Sequence, residues 1–538
     1  MDNKTLPKAP TEITLETDGE RLWGYQIPAG AKRYGWFKLL LDRKSDKTRY
    51  DDPNLADAID TKNPNSLFAL PPYKGARGVA LEYLRLLYKH VMERLQERVP
   101  LTFDSTPIQF VITTPAIWSH EAQSVTYDIA KEAGFASRAG DKIAMVAEPE
   151  AAASYCLREL QERHQDSEHE LKVGDRILIC DAGGGTVDLV TYTVSQTSPS
   201  LRVKEATVGA GGKCGSTAID RAFLIWLESR MGKPFKKWSV KKTGRGSTLM
   251  TNFEAAKKDF GTSSHGQSWR IPLGNVHPNP KMGIEDGEII ITDKDMAEIF
   301  DPVVKPIIEL VTEQIRGASD TDHRVSKIML VGGFGESQYL RKRLKEWCES
   351  QSSPVHLISP KYPWAAVARG AVVHGVESIV DTRRLKQHYG VLLATPFDPD
   401  VYDESTVRFD PFTMLLIADD HVEWFASMGQ EAENGHHFPI SCLWRFPEWG
   451  QRTTTFDLVG SFLDEAPLSA KRGKVHPVGQ VKANLSTVPD SAFHTFATTC
   501  RGDILAANVT VDMLFASADI RFEVMFEGES CGNTQIEY

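Results

Sequence analysis

The chain has 538 residues, of which 41% are hydrophobic and 25% are charged. Because this length exceeds what one hydrophobic core usually organises, two or three domains are expected. With 62 Lys and Arg against 72 Asp and Glu, the formal net charge is −10, which argues against nucleic acid as a general partner.

The sequence shows neither a membrane span nor a secretory leader. No run of about 18 apolar residues occurs, and the first residues, MDNKTLPKAPTEITLE, lack the basic and apolar regions of a signal peptide. The seven cysteines are scattered and have no C-x-x-C spacing. These features predict a reduced, cytoplasmic protein without a membrane partner.

Helix and strand patterns are legible along the first part of the chain. Apolar residues recur at helical spacing over residues 76–98. Residues 107–112 are predicted to form a strand that enters a Thr-Pro-Ala turn. Ser119 is placed as the N-cap of the next helix, and Gly134 is placed to end that helix.

Residues 176–194, RILICDAGGGTVDLVTYTV, are predicted to form a buried strand, a glycine bend and a second strand. Glycines leave no side chain between the backbone N–H groups and a ligand, so the bend is able to wrap an anion. The two flanking acids are placed to hold a hydrated divalent cation beside a phosphate. An ordinary glycine-rich hairpin with two capping acids is the alternative. The candidate ligands are Asp181, Gly183, Gly184, Gly185, Thr186 and Asp188.

This hairpin resembles the phosphate-binding hairpin of the 70-kDa heat-shock chaperones, which belong to the actin-like ATPase superfamily. Four further segments resemble segments of that family in the same order: VITTPAIWSHEAQSVTYDIAKEAG, AEPEAAASY, KIMLVGGFGES and PWAAVARG. Five ordered matches, covering roughly residues 20–380, are far more specific than a single motif.

The resemblance implies an α/β fold with a two-lobed, actin-like (ribonuclease H-like) nucleotide-binding domain over residues 1–380. Residues 381–538 differ in kind, because apolar and polar residues alternate there as in half-buried antiparallel strands. This second region loosely resembles a substrate-binding β domain. We expect this chain to have neither the family's Leu-rich acidic linker between the domains nor its helical lid.

ATP and Mg²⁺ are the cofactors that the resemblance implies. Asp181 and Asp188 would hold Mg²⁺ through water, the hairpin would hold the β and γ phosphates, and Glu148 would orient a metal-bound or attacking water. Lys38, which precedes an apolar run, is the candidate catalytic lysine, although it is also compatible with a plain amphipathic lysine. Lys38, Glu148 and Asp181 are therefore the candidate catalytic residues.

Two further regions are implied to contact the nucleotide. In the second glycine cluster, GAGGKCGST, Gly215 would approach the phosphates from the opposite lobe. This cluster is not a P-loop, because Cys follows its Gly-Lys pair where Ser or Thr is required. The candidate adenosine contacts are Gly332, Gly333, Glu254, Lys257 and Lys258, and an ordinary charged surface helix is the alternative for the last three.

Three features depart from the family pattern. No Asp-x-Gly-Thr phosphate loop occurs before residue 20, Phe334 stands where a small residue would face the base, and Trp364 replaces an acid. Each lost charge-assisted contact would cost roughly 1.5–3 kcal/mol. The first of these departures implies an incomplete sequence or a degenerate ATPase.

Two function classes stay open. The first is an ATP-binding, chaperone-like protein that hydrolyses ATP slowly and acts on polypeptide clients. The second is a pseudo-ATPase whose nucleotide-domain shape serves as a scaffold for other proteins. A small-molecule kinase of the same superfamily is disfavoured, because the β region supplies neither a substrate-binding insert nor a catalytic base between lobes.

Overall fold

The computed structural model describes residues 8–15, 21–28, 30–42, 48–55, 59, 68, 70–71, 74–163, 170–263, 266–320, 323–410, 412–447, 450–498, 502–516 and 519–535. The chain divides into two compact units. The first comprises residues 1–202 and 209–379, and the second comprises residues 203–208 and 380–538.

The α-helices of the described residues all lie in the first unit. They are α1 (Ala76–Arg98), α2 (His120–Ala133), α3 (Glu148–Arg163), α4 (Thr217–Met231), α5 (Lys233–Lys236), α6 (Val240–Thr243), α7 (Thr248–Asp259), α8 (Asp293–Gly317), α9 (Gln338–Glu349) and α10 (Ala366–Val376).

The strands are distributed over both units. In chain order they are β1 (Glu12–Ile13), β2 (Tyr34–Gly35), β3 (Gln109–Thr114), β4 (Lys142–Ala147), β5 (Arg176–Ala182), β6 (Val187–Gln196), β7 (Arg202–Glu205), β8 (Ala210–Gly212), β9 (Ser268–Pro272), β10 (Ile284–Glu285), β11 (Glu288–Thr292), β12 (Val325–Val331), β13 (His356–Ile358), β14 (Val380–Arg384), β15 (His388–Pro396), β16 (Val407–Phe409), β17 (Leu416–Ala426), β18 (Glu431–Glu433), β19 (His436–Pro447), β20 (Thr453–Ser461), β21 (His476–Asn484), β22 (His494–Thr498), β23 (Gly502–Ala516), β24 (Asp519–Phe526) and β25 (Glu529–Gln535).

The main sheet of the first unit combines parallel strands with an antiparallel hairpin. Strand β12 lies between β13 and β5 and runs parallel to both. Strand β5 pairs antiparallel with β6, which in turn pairs antiparallel with β8. A separate parallel pair, β3 and β4, is linked through α2. This mixture of layers confirms the α/β, actin-like class of the nucleotide-binding domain.

Local sequence signals are accurate around the first two long helices. Helix α1 spans residues 76–98, as the apolar spacing predicts. Helix α2 follows Ser119, whose hydroxyl accepts a hydrogen bond from the Ala122 N–H. Gly134 ends it in the left-handed conformation at φ 114°, which glycine adopts without a steric cost.

Small side chains allow α3 and α10 to pack very closely. Ala151, Ala152 and Ala153 of α3 are fully buried. A Cβ atom built on Gly370 of α10 would lie 1.6 Å from the Ala151 carbonyl oxygen. The two helix backbones are therefore in contact, and this contact supports the helix that begins at Glu148.

The second unit is built from strands, and its described residues form no α-helix. Strands β15 to β17 and β19 to β25 make one antiparallel sheet. Strand β14 pairs parallel with β7 and antiparallel with β18. The core of this unit is continuous and apolar, with Tyr389, Leu458, Val481, Val509 and Phe522 almost fully buried. The β-rich character predicted for this region is confirmed.

Within the described ranges, no helix combines the length and the apolar character that crossing a bilayer requires.

Replacing Gly370 by Ala tests the contact between α3 and α10. We expect Gly370→Ala to lower the free energy of unfolding by at least about 1–3 kcal/mol, because a methyl group has no space against the Ala151 backbone. Gly78→Ala in α1 is the matched control, since its Cβ would meet only the flexible Lys74 side chain at 3.5 Å. Alanine favours a helix over glycine by about 1 kcal/mol, so the control keeps or gains stability. Urea unfolding followed by circular dichroism measures both, and equal effects of the two changes would contradict the contact.

Candidate functional site

The glycine bend between β5 and β6 is held by backbone bonds from the second glycine cluster. The N–H groups of Gly215, Ser216 and Thr217 donate to the carbonyl oxygens of hairpin residues 185, 183 and 184 at 3.1, 3.1 and 2.9 Å. A Cβ atom on Gly215 would lie 2.6 Å from the Gly184 carbonyl carbon, so only glycine permits this approach. Gly215 therefore supports the back of the bend.

These bonds determine where the amide groups of the bend point. In a trans peptide unit the C=O of one residue and the N–H of the next point in opposite directions. Because the carbonyls of Gly183, Gly184 and Gly185 point toward the second cluster, the N–H groups of residues 184–186 point together to the opposite face. A Cβ atom added to Gly184 would meet no atom within 4 Å, so space is open beside this residue. Converging N–H groups of this kind bind anions.

Asp181 and Asp188 face each other across the hairpin and are both buried. Burial raises the pKa of Asp181 to about 8, and the negative charges of Glu148 and Asp188 add to the effect. Burial and Glu148 likewise raise the pKa of Asp188 to about 6, although the Thr186 hydroxyl and the Ile117 N–H act in the opposite direction. Two acids held this way favour a cation beside them.

Lys38 supplies one cation to this acidic pair. Its ammonium forms an ion pair with the Glu148 carboxylate. Desolvation acts to lower the pKa of Lys38, but Glu148, Asp188 and Asp181 outweigh it and the pKa is raised. The Lys38 side chain is 47% exposed, so burial penalises its charge less than complete burial would. The structure thus brings together the three candidate catalytic residues and the second metal candidate, Asp188.

The backbone around Lys38 is fixed by packing against the hairpin. A short 3-10 helix, Phe37–Leu40, begins after Trp36, whose φ of 57° is left-handed. A methyl group at Gly185 would lie 2.9 Å from Leu39 Cδ2, so Leu39 rests on the bend. The Lys38 ammonium also lies 5.5 Å from the centre of the Trp118 ring, a cation–π distance.

The end of β12 lies beside the same hairpin. Val331 pairs with Asp181 in the parallel register, so Gly332 follows at the strand end. Gly332 has φ +83°, and a Cβ there would come within 2.3 Å of the Ala182 carbonyl oxygen. At Gly333 a Cβ would lie 3.0 Å from the Lys8 ammonium nitrogen. Carboxyl ends of adjacent parallel strands commonly form ligand sites.

The three charged candidates on α7 are bound to one another and to α4. Lys257 contacts Asp220 Oδ1 and Glu254 Oε2, both at 2.6 Å, and its side chain is only 10% exposed. These carboxylates outweigh burial and raise the pKa of Lys257. Lys258 is 75% exposed and lies 3.3 Å from Glu254. Of the basic pair, only Lys258 presents its charge to solvent.

Phe334 stands where the family resemblance expects a small residue to face the base, and it is 4% exposed and packs inside the unit. It begins the short 3-10 helix Phe334–Glu336 before α9. Trp364, in the segment that precedes α10, is half-buried.

The acids of the hairpin fit a divalent cation whose coordination shell is completed by other ligands. The Asp188 Oδ2 oxygen is buried without a hydrogen-bond partner among the described residues. In the same part of the chain, no three His, Cys, Asp or Glu side chains are arranged to hold a metal by themselves. Asp181 and Asp188 would therefore share such a cation with water and phosphate oxygens, as hard cations prefer.

Several contacts of this site carry no local sequence signal. Ile117 donates its N–H to Asp188 Oδ1 at 3.3 Å, and it belongs to the turn after β3. Trp118 and Lys8 contribute through space from distant parts of the chain. The Thr-Pro-Ala turn is the one feature that could have indicated the neighbourhood of Ile117 and Trp118.

The raised pKa of Asp181 predicts a stability that depends on pH. An acid whose pKa is higher in the folded state contributes stability at low pH and loses it as pH rises through the folded value. We expect the unliganded protein to lose stability between about pH 4, the unfolded value, and pH 8. Asp181→Asn removes this ionisation. As the pH rises through that window, the free energy of unfolding of the variant should therefore increase relative to that of the wild type by up to about 1.4 kcal/mol per pH unit.

Thermal unfolding of the wild type and of Asp181→Asn at pH 5 and pH 8 measures this difference. The exposed Asp464→Asn serves as a control, because this residue lies far along the chain in the second unit. Parallel pH profiles of the wild type and the hairpin variant would contradict the buried-acid interpretation.

Comparison with known proteins finds similar sequences over most of this chain. The sequence profile of the family described as Hsp70 protein matches residues 87–383. Human heat shock 70 kDa protein 12B is 25% identical over 468 residues, which cover 73% of this chain and 66% of that protein. Mouse heat shock 70 kDa protein 12A is 24% identical over 462 residues, covering 71% and 66%. The chain thus spans just under two thirds of the length of these relatives.

A more distant relative covers less of the chain. The chaperone protein DnaK of Thermoplasma volcanium is 25% identical over 265 residues, which are 49% of this chain and 39% of that protein. The profile match covers more than half of the 538 residues and includes the glycine hairpin, the end of β12 and α10. The chain therefore belongs to the Hsp70 protein family.

Proposed function

We propose that this protein binds ATP with Mg²⁺ at the glycine hairpin of its first unit and hydrolyses the ATP slowly. The observation that carries the proposal is the charge arrangement at the hairpin. Lys38 is paired with Glu148 and interacts electrostatically with both Asp181 and Asp188. Membership of the Hsp70 family supports the choice of ATP as the ligand.

The proposed chemistry rests on positioning and on electrostatic stabilisation, which phosphoryl transfer to water mainly requires. The N–H groups of residues 184–186 would bind phosphate oxygens. Lys38 would stabilise negative charge that develops on the terminal phosphate. Glu148 would hold Lys38 in place and orient the attacking water. Mg²⁺, when bound, supplies further neutralisation of the phosphate charge.

We further propose that the second unit acts on polypeptides or other proteins. Support comes from the family and from relatives named chaperone protein DnaK. This unit exposes large apolar side chains on its strands, as at Phe409 and Leu416, and next to strand ends, as at Leu415 and Phe462. Exposed apolar groups are a common feature of protein-binding surfaces. A cytoplasmic location remains part of this proposal.

A pseudo-ATPase scaffold is the second candidate function. The residues that the family resemblance places near the adenosine favour it. Lys257 is drawn into pairs with Asp220 and Glu254, and Phe334 is buried. Both features leave fewer groups for a base and ribose. In this candidate the first unit binds a partner protein by its shape, and nucleotide has no effect on that binding.

Calorimetric titration with Mg·ATP separates the two candidates. We expect a saturable heat for the wild type and none for Asp181→Asn, because the variant loses a charge needed beside the cation. Lys38→Met should keep binding but lower the hydrolysis rate by at least about 100-fold, as removal of one transition-state contact does. Lys142→Ala, at the exposed start of β4, is the matched lysine control.

If the wild type releases no heat with Mg·ATP, nucleotide binding is overturned and the pseudo-ATPase scaffold is the remaining candidate. A saturable heat with equal hydrolysis by the wild type and Lys38→Met would retain ATP binding but remove Lys38 from catalysis.

A further inference from the structure

Lys8 lies at the mouth of the hairpin site, although no motif marks it. Its ammonium nitrogen is 3.0 Å from the position of a Cβ on Gly333, so it rests directly over the end of β12. Asp181 interacts electrostatically with the same ammonium. Lys8 is therefore adjacent both to a candidate metal ligand and to a candidate nucleotide contact.

The segment that carries Lys8 is anchored a few residues further on. Ala9 Cβ lies 3.4 Å from the position of a Cβ on Gly24. Glu12, which is buried, is bound by Arg33 at 3.0 Å and by Arg245 at 2.7 Å. Glu12 also begins strand β1, which pairs with β2. These contacts hold the backbone that follows Lys8, and so limit how far its ammonium can move from the end of β12.

Lys8 differs from the other lysines near the site, because only an electrostatic interaction with Asp181 links its charge to a carboxylate of the described residues. Lys38 is paired with Glu148, and Lys257 is paired with Asp220 and Glu254. Lys8 is exposed and forms no ion pair with any of the described residues. An exposed ammonium beside the end of β12 and close enough to interact with Asp181 is suited to a phosphate oxygen bound at the hairpin.

We propose that Lys8 binds the phosphate chain of the nucleotide, facing it from the end of β12. The inference rests on the proposed nucleotide binding at the hairpin and names a further ligand for it. Two cations then contact the phosphates, Lys38 from the side of Glu148 and Lys8 from the side of Gly333. Adenosine, which has no phosphate, gains nothing from Lys8.

Calorimetric titration of the full chain with Mg·ATP, Mg·ADP and adenosine tests this assignment. Lys8→Ala should weaken both phosphorylated ligands by at least about tenfold, which is the effect of one charge-assisted contact, and should leave adenosine affinity unchanged. Lys8→Arg should restore most of the affinity, because it keeps the charge and the donors. Lys142→Ala should behave as the wild type.

The possible failures are distinguishable. If the wild type gives no heat with Mg·ATP, the proposed function fails and the role of Lys8 falls with it. If the wild type binds Mg·ATP and Lys8→Ala binds all three ligands as tightly as the wild type does, only the role of Lys8 is overturned. The lysine then merely offsets the charge of Asp181. An equal loss for adenosine and for ATP would also overturn it, because that pattern reports a general disturbance of the site.

Discussion

The arrangement of the site depends on three backbone hydrogen bonds between two glycine-rich turns. The second turn binds the carbonyl oxygens of Gly183, Gly184 and Gly185, and the planarity of the peptide unit then directs the following N–H groups to the other face. This common direction of the N–H groups therefore depends on both turns together. The absence of a Cβ at Gly215 is what allows the two backbones to approach closely enough for the bonds to form.

The second constraint is electrostatic and follows from the first. The hairpin that presents the amides also brings Asp181 and Asp188 face to face in a buried position. Burying two like charges costs free energy unless cations compensate them. Lys38 supplies one such cation from a separate segment, and Leu39 ties that segment to Gly185. Stability and the proposed ligand binding are thereby linked in one cluster, since the acids proposed to bind a cation lower the stability of the fold when they ionise without one.

The two units use different means to form their cores. In the first, parallel strands and helices pack through small residues, as Gly370 does against Ala151. In the second, long antiparallel strands enclose an apolar core that contains residues such as Tyr389 and Phe522. Helix-rich α/β packing positions charged groups at strand ends and helix starts, where Asp181 and Glu148 stand. The β-rich unit instead presents side chains along the faces of its sheet, because successive residues of a strand point to opposite faces.

The sequence by itself determined the elements whose causes are local, and those included helix α1, the Ser119 cap, the Gly134 stop and the glycine hairpin. It also determined the family, because five ordered segments carry the resemblance. Only the tertiary structure decided which charges meet. Lys38 and Glu148 are 110 positions apart, Lys257 is withdrawn into a pair with Asp220, and Lys8 reaches Gly333. Such contacts depend on how distant strands and helices pack, and a residue's own neighbours in the chain carry no information about that packing.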